Sequence, residues 1–110
     1  MIDVTLFYQG KKIIGIESKG HSSYDDRGYD VICAAVSVLT QSLMFGLSEI
    51  ARVPNLEINI DDKVPVIKIS WPKKYYEKMS LLVQTVAESL KIIAADNSDY
   101  VKIHTEEIKQ

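Results

Sequence analysis

The sequence predicts an α+β fold with two layers, in which two long helices cover one face of a mixed, largely antiparallel five-stranded sheet. Five short segments alternate apolar and polar residues with the period of two that is typical of half-buried strands. Two long segments repeat apolar residues at spacings of three and four, as helices do. The order is ββαββαβ, with no internal repeat and no linker, so we expect a single domain over residues 1–110.

The first two strands form a predicted hairpin. Alternation from Ile2 to Tyr8 indicates a strand with one buried face. A turn at residues 10–12 leads into a second strand over residues 12–19, with Ile14 and Ile16 on its buried face. The polar residues 20–28 follow, and a loop of this length and polarity in a small domain is typically functional or disordered.

The first helix is predicted to start after Asp30, whose carboxylate suits an N-cap, and to run to about Arg52, before Pro54. Its core stripe consists of Ile32, Val36, Leu39, Leu43, Leu47 and Ile50. A second apolar stripe, formed by Val31, Val38 and Phe45, recurs every seven residues on roughly the opposite side. This stripe packs either on the other helix of the same domain or on a second copy of the chain, and the sequence leaves both open.

The remaining elements are a hairpin, a helix and a last strand. Residues 55–60 and 64–71 alternate around a turn at residues 61–63. The second helix follows Pro72, and its core stripe consists of Tyr76, Met79, Val83, Val86, Leu90 and Ile93. Residues 100–108 alternate again as the fifth strand.

Composition excludes several classes of function. Hydrophobic residues make up 46% and charged residues 25% of the chain, as in ordinary globular proteins. The formal net charge of −2 lacks the basic surplus of most nucleic-acid-binding proteins, so we expect no direct nucleic-acid partner. The sequence shows neither an unbroken apolar run of about 20 residues nor a signal peptide, and we expect a cytoplasmic protein without a membrane partner.

Cys33 and His21 are the candidate reactive residues. With Asp30 as N-cap, Cys33 would lie in the first helical turn, where unpaired N–H groups stabilise a thiolate. It would border the core beside a mostly polar groove formed by Ser37, Gln41, Met44 and Ser48. His21 begins the polar loop and can reach Cys33, and a Cys–His pair is the minimum for an activated nucleophile. A metal site is not expected, because one Cys and two His provide too few ligands, and His104 reads as an ordinary surface residue.

The stretch GHSSYDDRGYDVICAAVSVLTQS resembles the signature of the ribosomal-processing cysteine proteases, the Prp family. In that family a Gly-His pair and a variable loop precede Gly-x-Asp-[IV]-[IV]-Cys-Ala-Ala-Val-Ser on a helix. The residues that match are Gly20, His21, Gly28, Asp30, Val31, Ile32, Cys33, Ala34, Ala35, Val36 and Ser37. Ser22 departs from the alanine that many members carry. The chain length and the element order also resemble those of the family, so the resemblance covers essentially the whole chain.

The resemblance implies an activity. Family members remove an N-terminal extension from large-subunit ribosomal protein twenty-seven, cutting after a phenylalanine, and are typically homodimers. We expect this chain to need no cofactor. The resemblance also implies that Cys33 is the nucleophile and His21 the general base. Asp30, Gly20, Gly28 and Ser37 are the expected supporting residues.

Two interpretations of different class remain open from the sequence. The chain is either the processing protease or a ribosome-associated binding or assembly factor in which Cys33 is a buried structural thiol. Asp30 could orient His21, although the N-cap is its simpler role. Asp25 and Asp26 could attract a basic substrate, or could simply keep the loop soluble.

Overall fold

The computed structural model describes residues 1–20 and 27–109, with the backbone alone for residues 27–30. The strands are β1 (Ile2–Gln9), β2 (Lys12–Gly20), β3 (Glu57–Asp61), β4 (Val66–Ser70) and β5 (Val101–Glu107). The helices are α1 (Arg27–Phe45), continued by a π-helical turn (Gly46–Ile50), and α2 (Tyr76–Asp96), preceded by a 3₁₀ turn (Lys73–Tyr75). The predicted order ββαββαβ and the α+β class are confirmed.

The five strands form one sheet in the order β3-β4-β2-β1-β5. β1 pairs antiparallel with β2, β2 with β4, and β4 with β3. β5 runs parallel to β1, because α2 carries the chain back across the sheet before β5 begins. The sheet is therefore mixed and largely antiparallel, as predicted, with β3 and β5 at its edges.

A β-bulge changes which residues of β2 face the core. The register shifts between Phe7 and Tyr8, so that Phe7 pairs with Gly15 but Tyr8 pairs with Ile13. Ile13 and Ile16 are buried, whereas Ile14 is only half-buried. The prediction of a buried Ile14 is wrong, because the extra residue reverses the alternation at this point.

The core lies between the sheet and the two helices. The predicted stripe of α2 is confirmed except that Ile93 is only partly buried. In α1, Val36, Leu43 and Leu47 are buried, but Ile50 is exposed. A π-helical turn has more residues per turn than an α-helix, which rotates Ile50 off the core stripe.

The helix α1 begins earlier than predicted. It starts at Arg27, so Asp30 is its fourth residue and not its N-cap. The predicted loop over residues 20–28 is shorter as well, because Gly20 ends β2 and Gly28 lies in α1. A carboxylate at Asp30 suits the N-cap and also the fourth helical residue, because acidic residues are favourable throughout the first helical turn.

The second stripe of α1 does not pack within the domain. Val31, Val38 and Phe45 are all exposed, so they are not buried against α2 as the first alternative required. By length and composition, the helical segment Val31–Ile50 is apolar enough to cross a membrane. The side of this segment that bears Val36, Leu43 and Leu47 packs into the hydrophobic core.

Candidate active site

Cys33 lines a groove of about 410 Å³ between α1 and the β3–β4 hairpin. Its side chain is half-buried and packs against the hydrophobic core. A thiol in this position is held on a rigid helix and still reaches the groove, which is what a nucleophile for an extended substrate requires.

The α1 wall of the groove continues from Cys33 through Ser37, Gln41 and Met44. The prediction that these residues form a groove beside Cys33 is confirmed. Ser48 was predicted to belong to the same groove, but it lies in a separate hollow beside Arg52. Thr40 lies deeper in the same wall and is buried. Its hydroxyl donates to a backbone carbonyl of the helix, with Val36 O and Ser37 O each 3.1 Å away.

The opposite wall comes from the hairpin and from the adjoining end of β2, and sequence reasoning did not identify it. The residues that form it are Ser18, Gly20, Ile60, Asp61, Asp62, Pro65, Val66 and Ile67. The hairpin itself was predicted, but nothing local in the sequence indicates that β4 pairs with β2 and so lies beside α1. Ile60 and Ile67 make the groove more apolar than the mostly polar groove that the sequence predicted.

Two carboxylates are the charged groups among the described residues that line the groove. Asp61 holds the hairpin turn, because its Oδ1 accepts from the N–H of Lys63 at 2.9 Å and of Val64 at 3.4 Å. Asp62 follows it and is exposed. The groove therefore carries two carboxylates at the hairpin end.

Gly20 brings the chain to the groove directly before His21. Its N–H donates to Pro65 O at 3.0 Å, and it pairs with Ile2 of β1. Both Gly20 and Ile2 line the groove. The end of β2 is thus held from two sides at the point where the predicted Gly-His motif begins.

Of the other predicted site residues, some lie in α1 and some lie outside the part of the chain that the structure describes. His21, Asp25 and Asp26 lie outside the described residues. Gly28 and Asp30 lie in the first turn of α1. Cys33 is the seventh residue of α1, in its second turn. The prediction that it lies in the first turn is wrong, and the helix N-terminus, whose effect fades within one turn, does not act on it as expected.

His104 lies on β5, away from the groove. It pairs with Thr5, on the face of the sheet opposite the core, and its Nε2 is 2.8 Å from Oδ1 of Asp3. Within residues 1–20 and 27–109, the His, Cys, Asp and Glu side chains form no group of three that could hold a metal ion. Cys33 supplies the thiol of the groove, beside the carboxylates of Asp61 and Asp62.

Comparison with known proteins relates the chain to proteases. The family model described as cysteine protease Prp matches residues 1–102. The crystal structure of SMU.848 from Streptococcus mutans has a TM-score of 0.86 at 24% identity, covering 98% of this chain and 96% of that one. No curated protein sequence matches the chain.

Two further similar structures are of the ribosomal processing protease Prp from S. aureus. The complex of that enzyme with a substrate peptide has a TM-score of 0.82 at 20% identity, covering 96% of this chain and 100% of that one. Its complex with a covalently linked product peptide has a TM-score of 0.81 at 20% identity, with coverage of 96% and 100%. At these identities the structures establish a shared fold.

Proposed function

The chain belongs to the Prp family of cysteine proteases, and from this premise we propose that Cys33 and His21 form the dyad with which it cleaves a ribosomal precursor protein. The observation that carries the proposal is that the single cysteine of the chain lines the groove. A cysteine protease needs a cysteine nucleophile, and Cys33 is the one available.

The choice of His21 as general base follows from similar reasoning. The chain has two histidines, and His104 lies beside Asp3 on the other face of the sheet. Gly20, the neighbour of His21, lines the groove with Cys33. Consecutive Cα atoms are about 3.8 Å apart, so the position of Gly20 supports His21 as the partner of the thiol.

The proposed reaction has two steps. The sulfur of Cys33, having given its proton to His21, attacks the carbonyl carbon of the scissile peptide bond and forms a thioester. The imidazolium gives the proton to the leaving amine as the C–N bond breaks, so the C-terminal fragment departs with a free amine while the N-terminal fragment stays on Cys33 as the thioester. Water, deprotonated by His21, then hydrolyses the thioester and restores the thiol. The covalent product complex of the S. aureus enzyme is in keeping with such an intermediate.

The proposed substrate is the precursor of large-subunit ribosomal protein twenty-seven, from which the enzyme removes the N-terminal extension. The resemblance of the Gly20–Ser37 stretch to the family signature supports this assignment, as does the ribosomal processing protease with its substrate peptide among the similar structures. An open groove with an apolar wall suits an extended peptide with bulky side chains.

The proposal extends to the setting of the reaction. A ribosomal precursor is made in the cytoplasm, and the enzyme acts there as a homodimer, without a cofactor and without binding nucleic acid or membrane. The exposed stripe of Val31, Val38 and Phe45 supports the homodimer. Membership of a protease family favours this function over that of a binding or assembly factor with a structural thiol.

The deciding experiment is incubation with the purified precursor, followed by intact mass spectrometry. We expect the wild type to release the N-terminal extension and Cys33→Ala to release none. The variant His104→Ala is the matched control and should cleave like the wild type, because His104 is remote from the groove. An intact precursor after incubation with the folded wild type would refute the proposed substrate, and cleavage by Cys33→Ala would refute the nucleophile.

A further inference from the structure

A basic hollow lies at the end of the sheet opposite the Cys33 groove. It has a volume of about 730 Å³, and the lysines that line it are Lys12, Lys73, Lys74 and Lys109. They come from three separate parts of the chain, namely the start of β2, the 3₁₀ turn before α2 and the residues after β5. The fold thus gathers positive charge in this lysine hollow, although the net charge of the whole chain is −2.

Most of the positive charge in the lysine hollow is not neutralised by the domain itself. Lys12 forms an ion pair with Glu77, in which Nζ lies 2.8 Å from Oε1. The other three lysines are exposed, and within residues 1–20 and 27–109 they form no ion pair. Three cations of the lysine hollow therefore remain available to a group from outside the domain.

The position of these cations is unfavourable for the domain alone. Lys73 and Lys74 lie directly before α2, whose N-terminal end carries partial positive charge, so acidic residues are favourable there and basic ones are not. Among the described residues that line the lysine hollow, Glu107 supplies the one carboxylate, and its Oε1 accepts from the N–H of Gly10 at 2.9 Å. An acidic group from outside would relieve the repulsion among the lysines.

The chemistry of the lysine hollow favours an acidic protein segment over a nucleic acid. Where the structure describes its lining, the cations are all lysines, whereas the planar fork that binds phosphate in two places belongs to arginine. A net charge of −2 also repels a long polyanion, which nucleic-acid-binding proteins counter with a basic surplus. Ile108 adds an apolar side chain to the lining, which suits a peptide that carries aliphatic as well as acidic groups.

The lysine hollow and the Cys33 groove are far enough apart to be occupied at the same time. β1 begins at Ile2, which lines the groove, and ends at Gln9, which lines the lysine hollow. At ~3.4 Å per residue this strand separates the two sites by roughly 24 Å. The groove carries carboxylates at its hairpin end, so the two sites attract groups of opposite charge.

We infer that the lysine hollow docks an acidic segment of a partner protein, rich in Asp and Glu, while the Cys33 groove stays open. The segment contacts the three unpaired lysines through its carboxylates. Like charge keeps it away from the carboxylates of the groove. The inference goes beyond the proposed function and does not depend on the identity of the substrate.

The test measures binding of a fluorescein-labelled octaglutamate peptide by fluorescence anisotropy. The variant carries the changes Lys73→Gln, Lys74→Gln and Lys109→Gln. The matched control loses the same charge from the face of the sheet opposite the core, through the changes Lys19→Gln, Lys68→Gln and Lys102→Gln. A single-stranded RNA octamer with the same label is the second probe, and thermal unfolding shows that each variant is folded.

We expect the wild type to bind octaglutamate at low salt and to bind RNA more weakly. The variant should bind octaglutamate about tenfold more weakly, because each exposed charge pair contributes modestly, and the control should stay within about twofold of the wild type. In about 0.5 M salt, which screens exposed charges, the difference between the variants should vanish. Octaglutamate should leave the rate at which iodoacetamide alkylates Cys33 unchanged. If the triple variant does not fold, Lys73→Gln alone should weaken binding about twofold to threefold.

Several results would overturn the inference. A wild type that does not bind octaglutamate would show that the lysine hollow is a solvated surface. Equal losses in the variant and the control would mean that net charge, and not this hollow, attracts the peptide. Tighter binding of RNA would assign the lysine hollow to a nucleic acid, and slower alkylation of Cys33 would place the acidic peptide in the groove.

Discussion

Gly20 and Ile2 are packed so closely that a Cβ atom on Gly20 would lie 3.0 Å from Cγ1 of Ile2 and 3.1 Å from its Cα. Both residues line the Cys33 groove, and Gly20 is followed in the chain by His21. The absence of a side chain at Gly20 thus allows β2 to stay paired with β1 up to the residue that precedes the proposed base.

We predict that Gly20→Ala lowers cleavage by more than tenfold with a modest loss of stability, about 1–3 kcal/mol for the overpacked Cβ. The added methyl group pushes the end of β2 away from Ile2 and so displaces the attachment point of His21. Activity and thermal unfolding are measured in parallel.

The control is Gly15→Ala, whose Cβ would be equally crowded, at 3.1 Å from Ile69 O. Gly15 lies on the same strand, about 17 Å from Gly20 at ~3.4 Å per residue. It should lose similar stability but keep its activity. Equal losses of activity in the two variants would mean that Gly20 matters for folding alone.

We predict that the reactivity of Cys33 depends on His21. Because Cys33 lies in the second turn of α1, the helix N-terminus does not activate it as the sequence suggested. His21→Ala should therefore slow iodoacetamide alkylation of Cys33 near neutral pH and reduce cleavage by about 10²–10⁴. Unchanged alkylation alongside lost cleavage would assign His21 to protonation of the leaving group and not to activation of the thiol.

Much of the fold was predictable because it depends on local patterns. Alternation located the strands, and the three-four spacing located the buried residues of α2, such as Met79 and Leu90. The errors arise where geometry departs from a regular period. The bulge opposite Tyr8 reverses the faces of Ile13 and Ile14, and the π-helical turn rotates Ile50 out of the core.

The α1 wall of the groove was predictable from the sequence, and the hairpin wall was not. Ser37, Gln41 and Met44 follow from Cys33 by helical geometry, because they share one side of α1. Ile60 and Ile67 could not be inferred, since they reach the groove through the long-range pairing of β4 with β2. Strand order is decided by packing of the whole sheet, and a single sequence carries no local signal for it.

Ile60 should contribute to substrate binding and Ile58 should not. Both isoleucines lie on the same face of the edge strand β3 and are partly exposed, at 53% and 41%, but Ile60 alone of the two lines the groove. We predict that Ile60→Ala lowers kcat/KM by about tenfold, in the range typical of lost apolar contacts in a pocket.

Steady-state kinetics on a peptide with the cleavage sequence measure this effect. Ile58→Ala should stay within twofold of the wild type, and both variants should unfold at nearly the wild-type temperature because their side chains are already hydrated. If Ile58→Ala and Ile60→Ala lose activity equally, the peptide lies over the β3 edge and not in the groove.

We predict that carboxylates at and near the groove attract a basic substrate. Ribosomal proteins are generally basic, and the groove has Asp62 exposed at the hairpin end, while Asp25 and Asp26 follow His21 by a few residues. Carboxylates at a groove accelerate the encounter with a cationic peptide, and salt screens this effect beyond about 8 Å at physiological ionic strength. Replacing Asp25, Asp26 and Asp62 by asparagine should therefore lower kcat/KM at low salt and flatten its fall with added salt, with kcat little changed.

Glu106→Gln removes an exposed charge on β5, outside the groove, and should follow the wild-type salt curve. If the Asp62→Asn variant also follows that curve while the Asp25→Asn, Asp26→Asn double variant departs from it, the attraction comes from the segment after His21. If neither departs, electrostatic steering is refuted, and the solubility of that segment is the remaining role of Asp25 and Asp26.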